Sequence, residues 1–340
     1  MIGMSNRKGA VFFMRKIGKK ILLVFLDLIL AAAMIGGTWS WNYLIPRGMK
    51  VEAAGMNSDS TAIDGDWHEK FADQFTETVE STPTSYKSPN LSITISTGGY
   101  DSGKLDDSEG GKHKKYGTKC AYVLADIYVG NINCIQTAFA DDTYGVGYEE
   151  PLADMSARLG SVFAVNGDSY SNNKHQDNGT IIRNGVLYRA KQSDAETCVL
   201  FRDGSLKIYP PGPIDAQQLM ADGAWQSWIF GPSLLDENGK AKTDFTTWDY
   251  IKESHPRTAI GYYEPGHYCI LAVDGRQPDY SRGMFLDEMA AVFEQLGCKA
   301  AYNLDGGHRE FMTMGDQLVN KPYRPYQSVS DGIFIMEGSL

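Results

Sequence analysis

The sequence has few of the features that mark several common protein classes. Its 340 residues include five cysteines, none in a C-x-x-C pair, which argues against zinc knuckles and thioredoxin-like sites. Its six histidines form no H-E-x-x-H motif, the pattern of zinc metalloproteases. No repeat of solenoid period occurs. Hydrophobic residues make up 42% and charged residues 22%, so global disorder, collagen and coiled coil are poor descriptions of the chain.

Positive charge is scarce outside the N-terminus. The chain has 32 Lys and Arg against 42 Asp and Glu, for a formal net charge of -10. Residues 1–20 carry six basic residues and no acidic one, a charge of +6 that leaves -16 on the other 320 residues. A body this acidic repels the phosphates of nucleic acid, so nucleic-acid binding is excluded as a function.

The basic segment 1–20 is followed by an apolar run over 21–45. As a helix this run extends about 37 Å at ~1.5 Å per residue, enough for a bilayer core of about 30 Å. Aromatic residues of the kind found at membrane interfaces end the run: Trp39, Trp41 and Tyr43. Because basic flanks stay in the cytoplasm, the sequence predicts a single-pass protein of the cell membrane with 46–340 outside the cytoplasm.

A cleaved signal peptide is the alternative to this anchor. Small residues suitable for cleavage occur at 51–53, well beyond the apolar run. That distance favours an uncleaved signal anchor. The odd number of cysteines leaves at least one thiol unpaired, and Cys269 and Cys298 lie in apolar runs typical of buried thiols.

The rest of the chain divides by composition. Residues 46–84 form a predicted polar stalk, in which apolar residues at every fourth position predict an amphipathic helix over 64–80. Residues 85–338 form a predicted strand-rich single domain of mixed α+β class, with mixed sheets and a few helices. One of these helices is expected over 284–296, and 98–117, rich in Gly, Asp and Lys, is expected to be a mobile surface loop.

Three strongly apolar runs in this domain end at an acidic residue beside glycine. They are 161–165, followed by Asn166 and Asp168; 268–273, followed by Asp274; and 298–302, followed by Asn303 and Asp305. Acids at the ends of buried strands either cap loops through Asx-turns or assemble an active site from distant segments. Two arginines, Arg183 and Arg257, add planar donors that match a phosphate or carboxylate.

Six blocks of sequence occur in a fixed order: Phe163–Asp168, Ile182–Arg189, Phe230–Leu235, His255–Gly261, Val273–Pro278 and Asn303–Gly307. In order and spacing they resemble the phosphodiester glycosidase family over about 120–336. Members of that family remove a sugar from a phosphodiester, and many bacterial members are described as exopolysaccharide-associated. The resemblance implies a glycosidase that hydrolyses a sugar-1-phosphodiester in an envelope or secreted glycopolymer.

The resemblance also implies site residues. Asp168 and Asp305 would be the catalytic carboxylates, in roles that the sequence does not divide, and Asp274 would orient them. Arg183 and Arg257 would clamp the phosphate. Further substrate-binding residues would be Asn166, Asn303, Gly306 and Gly307. His308, which follows them in this chain, is expected to bind substrate as well. These residues are expected to meet in one open pocket, where arginines stabilise the charge that grows on a phosphate leaving group.

The chain departs from the family pattern after Asp305. Where the family has small residues, His308, Arg309, Glu310 and Phe311 occur, and their bulk leaves open the alternative of a non-catalytic protein that binds sugar phosphate or exopolysaccharide. No cofactor is required by this chemistry. Asp305, His308 and Glu310 are candidate ligands of a divalent metal ion, whereas carboxylates and main-chain oxygens near the Gly-Gly loop would equally suit a structural Ca²⁺.

Overall fold

The computed structural model describes residues 5–43, 45–51, 65–108, 112–171 and 178–338. The chain divides into two compact units, Met1–Arg47 and Gly48–Leu340. Most of the segment 51–53, the alternative cleavage site, lies outside the described residues.

The first unit contains one long helix, α1 (Ser5–Tyr43). An 18-residue segment within Lys19–Trp41 has a mean hydropathy of 2.3, and none of its residues is buried within the protein. This stretch is long and apolar enough to cross a membrane, and a signal sequence would meet the same criterion. The membrane anchor therefore stays a prediction.

The described part of the second unit is built mainly of strands. The strands of the chain are β1 (Arg47–Lys50), β2 (Glu80–Thr82), β3 (Ser85–Lys87), β4 (Leu91–Asp101), β5 (Lys119–Val129), β6 (Ile135–Phe139), β7 (Thr143–Val146), β8 (Phe163–Asn166), β9 (Thr180–Arg183), β10 (Val186–Ala190), β11 (Thr197–Phe201), β12 (Leu206–Tyr209), β13 (Ala224–Trp228), β14 (Arg257–Glu264), β15 (His267–Asp274), β16 (Ala300–Asn303), β17 (Met312–Met314), β18 (Gln317–Leu318) and β19 (Asp331–Ile335). The shorter helices are α2 (Leu152–Leu159), α3 (Ala216–Ala221), α4 (Asp249–Lys252) and α5 (Leu286–Leu296). This is the mixed, strand-rich class that the sequence predicts.

Two sheets dominate the second unit. One has seven strands in the order β16-β14-β15-β5-β4-β3-β2, and the other has five in the order β18-β17-β8-β19-β6. Successive residues of the central strands point to opposite faces of the larger sheet. Ile270 therefore packs into one buried cluster, while Leu271 packs with Met289 and Phe293 of α5 in another. Both faces of β15 are covered, which explains its continuous apolar sequence.

One detail of the predicted fold needs correction. The strand pairs of the two large sheets are all antiparallel, so these sheets are not mixed. Short connections allow this arrangement, as in β14–β15, where two residues separate the strands. The helix predicted over 284–296 is confirmed as α5, and Gly297 ends it in a left-handed conformation.

The amphipathic helix predicted over 64–80 is wrong for the described residues 65–80. Trp67 is buried in the main core, and the Phe71 ring lies 5.1 Å from that of Tyr128. Only the short 3-10 helix Ala72–Gln74 follows, because the β-branched Thr76, Thr78 and Val79 favour extended chain. Residues 65–84 therefore pack on the domain and do not form a stalk.

The loop predicted over 98–117 is also partly wrong. Strand β4 continues to Asp101, where Asp101 pairs with Lys119 of β5. Beyond the strand, Asp106 is fully buried. A Gly-rich and charged composition therefore did not predict exposure here, because the charged side chain finds partners inside the protein.

Candidate active site

A pocket of about 200 Å³ opens at one edge of the larger sheet. β14 runs antiparallel to both of its neighbours, β15 and β16, so its first residue lies beside the last residues of theirs. The loops at this edge supply the polar side of the pocket wall. The residues that line the pocket include Arg257, Arg276, Asp305, Gly306, Gly307 and His308.

Asp305 is the carboxylate of this pocket. Its side chain is 15% exposed, and its Oδ1 accepts a hydrogen bond of 2.9 Å from the Gly306 N–H. Nη1 of Arg309 lies 3.8 Å from its Oδ2. Burial raises the pKa of Asp305 to about 6, and Arg309 and the Gly306 N–H only partly offset this effect. Asp305 thus changes protonation close to neutral pH.

The Gly-Gly pair after Asp305 lets its loop pack against the start of β14. The Gly307 N–H donates to the Pro256 carbonyl at 2.9 Å, and a Cβ at Gly306 would lie 2.6 Å from the same oxygen. Gly307 also has a φ of +68°, which side chains disfavour. Glycine is therefore required at 306 by space and favoured at 307 by conformation.

Arg257 lines the pocket from the start of β14. Its Nε donates to the Met284 carbonyl at 3.1 Å, and its Nη2 donates to the carbonyls of Ile251 and Glu253 at 2.5 and 2.6 Å. Burial lowers the pKa of Arg257 to about 9, and the nearby charge of Arg276 adds to this effect. The side chain remains a cation at neutral pH and is held in one orientation.

Arg276 is a second cation of the pocket, and it was not among the predicted site residues. Its Nη1 donates to the Tyr323 hydroxyl at 2.6 Å, and its Nη2 lies 3.0 Å from Nδ1 of His255. Nε2 of His255 lies 2.5 Å from the Tyr250 carbonyl, so this nitrogen carries the proton and Nδ1 accepts from Arg276. Burial lowers the pKa of His255 to about 3, helped by Arg257 and Arg276, so it is a neutral support.

His308 also lines the pocket and is half-buried. Burial, together with the charges of Arg309 and Arg276, lowers the pKa of His308 to about 4. His308 is therefore neutral at pH 7. Its bulk narrows the pocket without filling it. Phe311, the other bulky residue of this segment, is buried in a separate core with Leu152 and Phe334.

Asp168 and Arg183 lie in a buried cluster with Asp331, outside the pocket wall. Nε and Nη2 of Arg183 donate to Oδ2 of Asp331 at 3.1 and 2.6 Å, and Nη1 donates to two main-chain carbonyls, those of Ile182 and Ser227. Arg183 is only 2% exposed. Its donors are thus used within the protein, which argues against the predicted phosphate contact.

The carboxylate of Asp168 is likewise satisfied. Its Oδ1 accepts the Ser169 N–H at 2.9 Å and its Oδ2 accepts the Ile229 N–H at 2.6 Å. Two carboxylates, Asp168 and Asp331, share Arg183 as a cation partner, and burial raises the pKa of both. Their charges also contribute to the raised pKa of Asp305, so this cluster lies close enough to act on the pocket electrostatically.

The two predicted asparagines hydrogen-bond to main-chain carbonyls of Asp305 and Gly231. Nδ2 of Asn166 donates to the Asp305 carbonyl at 2.6 Å, and its Oδ1 accepts from Thr258 Oγ1 at 2.7 Å. Nδ2 of Asn303 donates to the Gly231 carbonyl at 2.6 Å, and its side chain is fully buried. These two residues position the loop and do not line the pocket.

Asp274 lies in a third buried cluster. Its carboxylate accepts from the Tyr280 hydroxyl at 2.6 Å, from the Lys321 N–H at 2.8 Å and from Asn320 Nδ2 at 3.2 Å. Asn320 also donates to Glu310, which is fully buried. Asp274 therefore fixes the connection after β15, from which Arg276 extends.

The structure thus brings part of the predicted site together. Of the predicted residues, the pocket is lined by Arg257, Asp305, Gly306, Gly307 and His308, whereas Asp168, Arg183, Asp274, Asn166 and Asn303 support it. Glu310, one of the residues considered for a metal ion, is fully buried, and its Oε1 accepts from Nδ2 of Asn320 at 2.6 Å. Across the described ranges, no group of three or more His, Cys, Asp or Glu side chains is arranged to hold a metal ion.

Comparisons with known proteins agree with the resemblance noted in the sequence. The family model described as phosphodiester glycosidase matches residues 159–336. The SPβ prophage-derived uncharacterized protein YomE of Bacillus subtilis is 34% identical over 194 residues, which are 56% of this chain and 29% of that protein. The chain thus spans less than a third of the length of this curated relative.

Two solved structures share the fold. The zebrafish N-acetylglucosamine-1-phosphodiester α-N-acetylglucosaminidase catalytic domain, auto-inhibited by its pro-peptide, matches with a TM-score of 0.57 and 20% identity over 87% of this chain and 97% of that one. A hypothetical protein from Synechocystis matches with a TM-score of 0.51 and 14% identity over 75% of this chain and 64% of that one. At these identities the likeness concerns the fold alone.

Proposed function

This chain belongs to the phosphodiester glycosidase family, and from that premise we propose that it hydrolyses a sugar-1-phosphodiester at the Asp305 pocket. The observation that carries the proposal is the pairing of one carboxylate of raised pKa with two fixed arginines, Arg257 and Arg276, in one pocket. The reaction breaks the bond between the sugar C1 and the phosphate oxygen. Water supplies the hydroxyl of the free sugar, and a phosphate monoester leaves.

The two arginines bind the phosphate in this proposal. Cleavage of the C1–O bond moves negative charge onto the leaving phosphate, and fixed cations stabilise that charge without reorganising. Main-chain carbonyls hold Nε and Nη2 of Arg257, so Nη1 is the group available to the phosphate, whereas Arg183 also uses its Nη1 within the protein. Arg276 is held by His255 and Tyr323. A phosphate is already a good leaving group, so charge stabilisation replaces much of the protonation that other glycosides need.

Asp305 works at the sugar carbon. Glycoside cleavage passes through an oxocarbenium-like state, which a nearby carboxylate stabilises. Of the two carboxylates that the sequence left undivided, Asp305 lines the pocket and Asp168 is hydrogen-bonded within the protein. We therefore assign the reacting role to Asp305 and a supporting role to Asp168.

The size of the pocket supports a substrate that lies partly outside it. Its volume of about 200 Å³ is below the roughly 300–1,000 Å³ of pockets that enclose a whole drug-sized ligand. It suits the phosphate and the reacting part of one sugar, with the remainder of the substrate outside. A glycopolymer of the envelope or a secreted exopolysaccharide meets this requirement, with α1 as an anchor and the second unit outside the cytoplasm.

The test uses the full chain in detergent with an N-acetylhexosamine 1-(methyl phosphate) in water enriched in ¹⁸O. We expect free sugar that carries the label at C1 and methyl phosphate that does not. Label in the phosphate would identify a phosphodiesterase and contradict the proposal. Protease protection of the second unit in sealed cells would contradict its placement outside the cytoplasm.

A second candidate is a non-catalytic protein that binds sugar phosphate. Arg309 favours it, because its guanidinium lies 3.8 Å from Asp305 Oδ2 and also pairs with Glu149. A carboxylate held by a cation is less available to a sugar carbon. Saturable binding of the diester by the wild type without release of sugar would select this candidate.

A further inference from the structure

Asp106 is a buried carboxylate in the connection between β4 and β5, remote in sequence from the pocket. It is fully buried, and its Oδ2 accepts from the Ser254 N–H and Ser254 Oγ, both at 2.7 Å. Nδ1 of His113 lies 3.1 Å from the same oxygen. Its Oδ1 accepts from the Ser108 N–H at 3.1 Å and from the Ser108 hydroxyl. Both oxygens of Asp106 are therefore bound by donors.

These donors keep Asp106 charged. Burial acts to raise the pKa of Asp106, but the hydrogen bonds from Ser108 and Ser254 outweigh it and hold the pKa well below its usual range. Hydrogen bonds to an ionised acceptor are about twice as strong as neutral ones. Asp106 thus links its own loop to Ser254 through strong, charge-assisted hydrogen bonds.

Ser254 belongs to the segment 250–257, which forms one wall of the pocket. The carbonyls of Ile251 and Glu253 in this segment are the acceptors for Nη2 of Arg257. The segment contains only the single helical turn α4, so its own backbone hydrogen bonds do little to fix it. Main-chain hydrogen bonds to Met284 and Gly307 hold His255 and Pro256, so the carbonyls of Ile251 and Glu253 that orient Arg257 depend in part on what holds Ser254.

A second contact reaches the other arginine. The ring of His113 lies 5.4 Å from the ring of His255, nearly perpendicular to it. His255 in turn accepts from Arg276. The Asp106 cluster thus touches the supports of both cations, Arg257 through Ser254 and Arg276 through His113.

We infer that Asp106 is a positioning residue that fixes the segment 250–257, and through it Arg257 and Arg276, for binding the substrate phosphate. The inference rests on the proposed function of the same pocket. It adds a residue that lies outside the six sequence blocks and outside the pocket wall.

The test compares three variants of the full chain in detergent. Asp106→Asn keeps the shape of the side chain but turns an N–H group toward a donor. Ser254→Ala removes the hydrogen bond from the Ser254 hydroxyl and leaves the other hydrogen bonds to Asp106. Asp203→Asn is the matched control, because Asp203 forms the same Asp-x-Ser turn with Ser205 at an exposed site.

Two readouts separate positioning from general stability. The first is the Kd for inorganic phosphate by titration calorimetry, together with KM and kcat for the diester. The second is hydrogen exchange of the peptide that covers 249–257. We expect Asp106→Asn to weaken phosphate binding about tenfold and to raise KM more than it lowers kcat. For Ser254→Ala we expect about threefold weaker binding, and for Asp203→Asn a change below twofold.

Exchange in 249–257 should accelerate in the first two variants only. Wild-type phosphate affinity in both Asp106→Asn and Ser254→Ala would overturn the inference, and so would unchanged exchange. If Asp106→Asn fails to fold, Ser254→Ala decides the outcome alone. A wild type that binds phosphate but releases no sugar contradicts the proposed hydrolysis and leaves the positioning role measurable. A wild type that binds no phosphate overturns both.

Discussion

The pocket at Asp305 and the buried cluster of Asp168, Arg183 and Asp331 contain the same kinds of groups in opposite states. In the buried cluster, Arg183 donates to Asp331 and to main-chain carbonyls, and both Asp168 oxygens accept N–H groups. In the pocket, Asp305 accepts one N–H, and Arg257 and Arg276 line the same cavity. Groups that use their hydrogen bonds within the protein stabilise the fold, whereas groups with unused hydrogen-bonding capacity are available to a substrate.

The largest expected effect in this comparison is on catalysis by the pocket carboxylate. Asp305→Asn should lower the rate of sugar release by roughly 10³-fold, since a positioned acid or base contributes about 10²–10⁴-fold. The melting temperature should change little, because Asp305 makes few contacts. Rate assays and thermal unfolding check both parts, with Asp203→Asn as control. A loss below tenfold would contradict the role of Asp305.

Disruption of the buried cluster should mainly lower the stability of the fold, in contrast to Asp305→Asn, which should mainly lower the rate. Asp331→Ala leaves Arg183 buried with Asp168 at 3.9 Å as its remaining acidic partner. Removal of one partner from a buried ion pair costs about 3–5 kcal/mol. We expect a loss of about 3 kcal/mol in the free energy of unfolding, measured with urea. A loss below 1 kcal/mol would mean that the cluster does not stabilise the fold.

The pH dependence of catalysis should follow the protonation of Asp305. Asp305 acts as a carboxylate, so kcat/KM should rise about tenfold per pH unit below its pKa and level off above pH 6. Arg309 lowers this pKa, so Arg309→Met should move the midpoint upward by a few tenths of a unit or more. Profiles of kcat/KM from pH 4.5 to 8 for the wild type and Arg309→Met measure this midpoint. A downward shift in the variant would assign the midpoint to another group.

The smallest effect is expected in the third cluster. Tyr280→Phe removes one of three hydrogen bonds to Asp274 and leaves those from Lys321 and Asn320. Loss of one such bond costs about 1 kcal/mol. Urea unfolding should show this loss, while kcat changes less than threefold. A fall in kcat above tenfold would mean that Asp274 contributes directly to the chemistry.

The sequence predicted the fold class and helix α5, because apolar periodicity and a C-terminal glycine are local signals. It also predicted Asp305 and Arg257 as site residues, and both line the pocket. It did not separate the pocket residues from those buried behind it. Both kinds carry the same motif, an acid at a strand end, and only tertiary packing decides which of them faces solvent.

Asp331 shows why part of the site was missed. The predicted acids follow the ends of apolar strands, whereas Asp331 is the first residue of β19. In an antiparallel sheet the end of one strand lies beside the start of the next, as Asn166 lies opposite Gly332. Arg276 was not predicted for another reason. Its φ of +57° is a left-handed backbone conformation, which the composition of the sequence does not indicate.

The antiparallel arrangement around the pocket has a consequence for the order of folding. Asn166 bonds to the Asp305 carbonyl across 139 positions of the chain, and β14 pairs with β16 across a shorter but still large separation. Contacts of such high contact order form slowly and late. On refolding, protection of the local β14–β15 hairpin should precede phosphate binding. A nascent chain would therefore possess its local hairpins before it possesses a complete pocket.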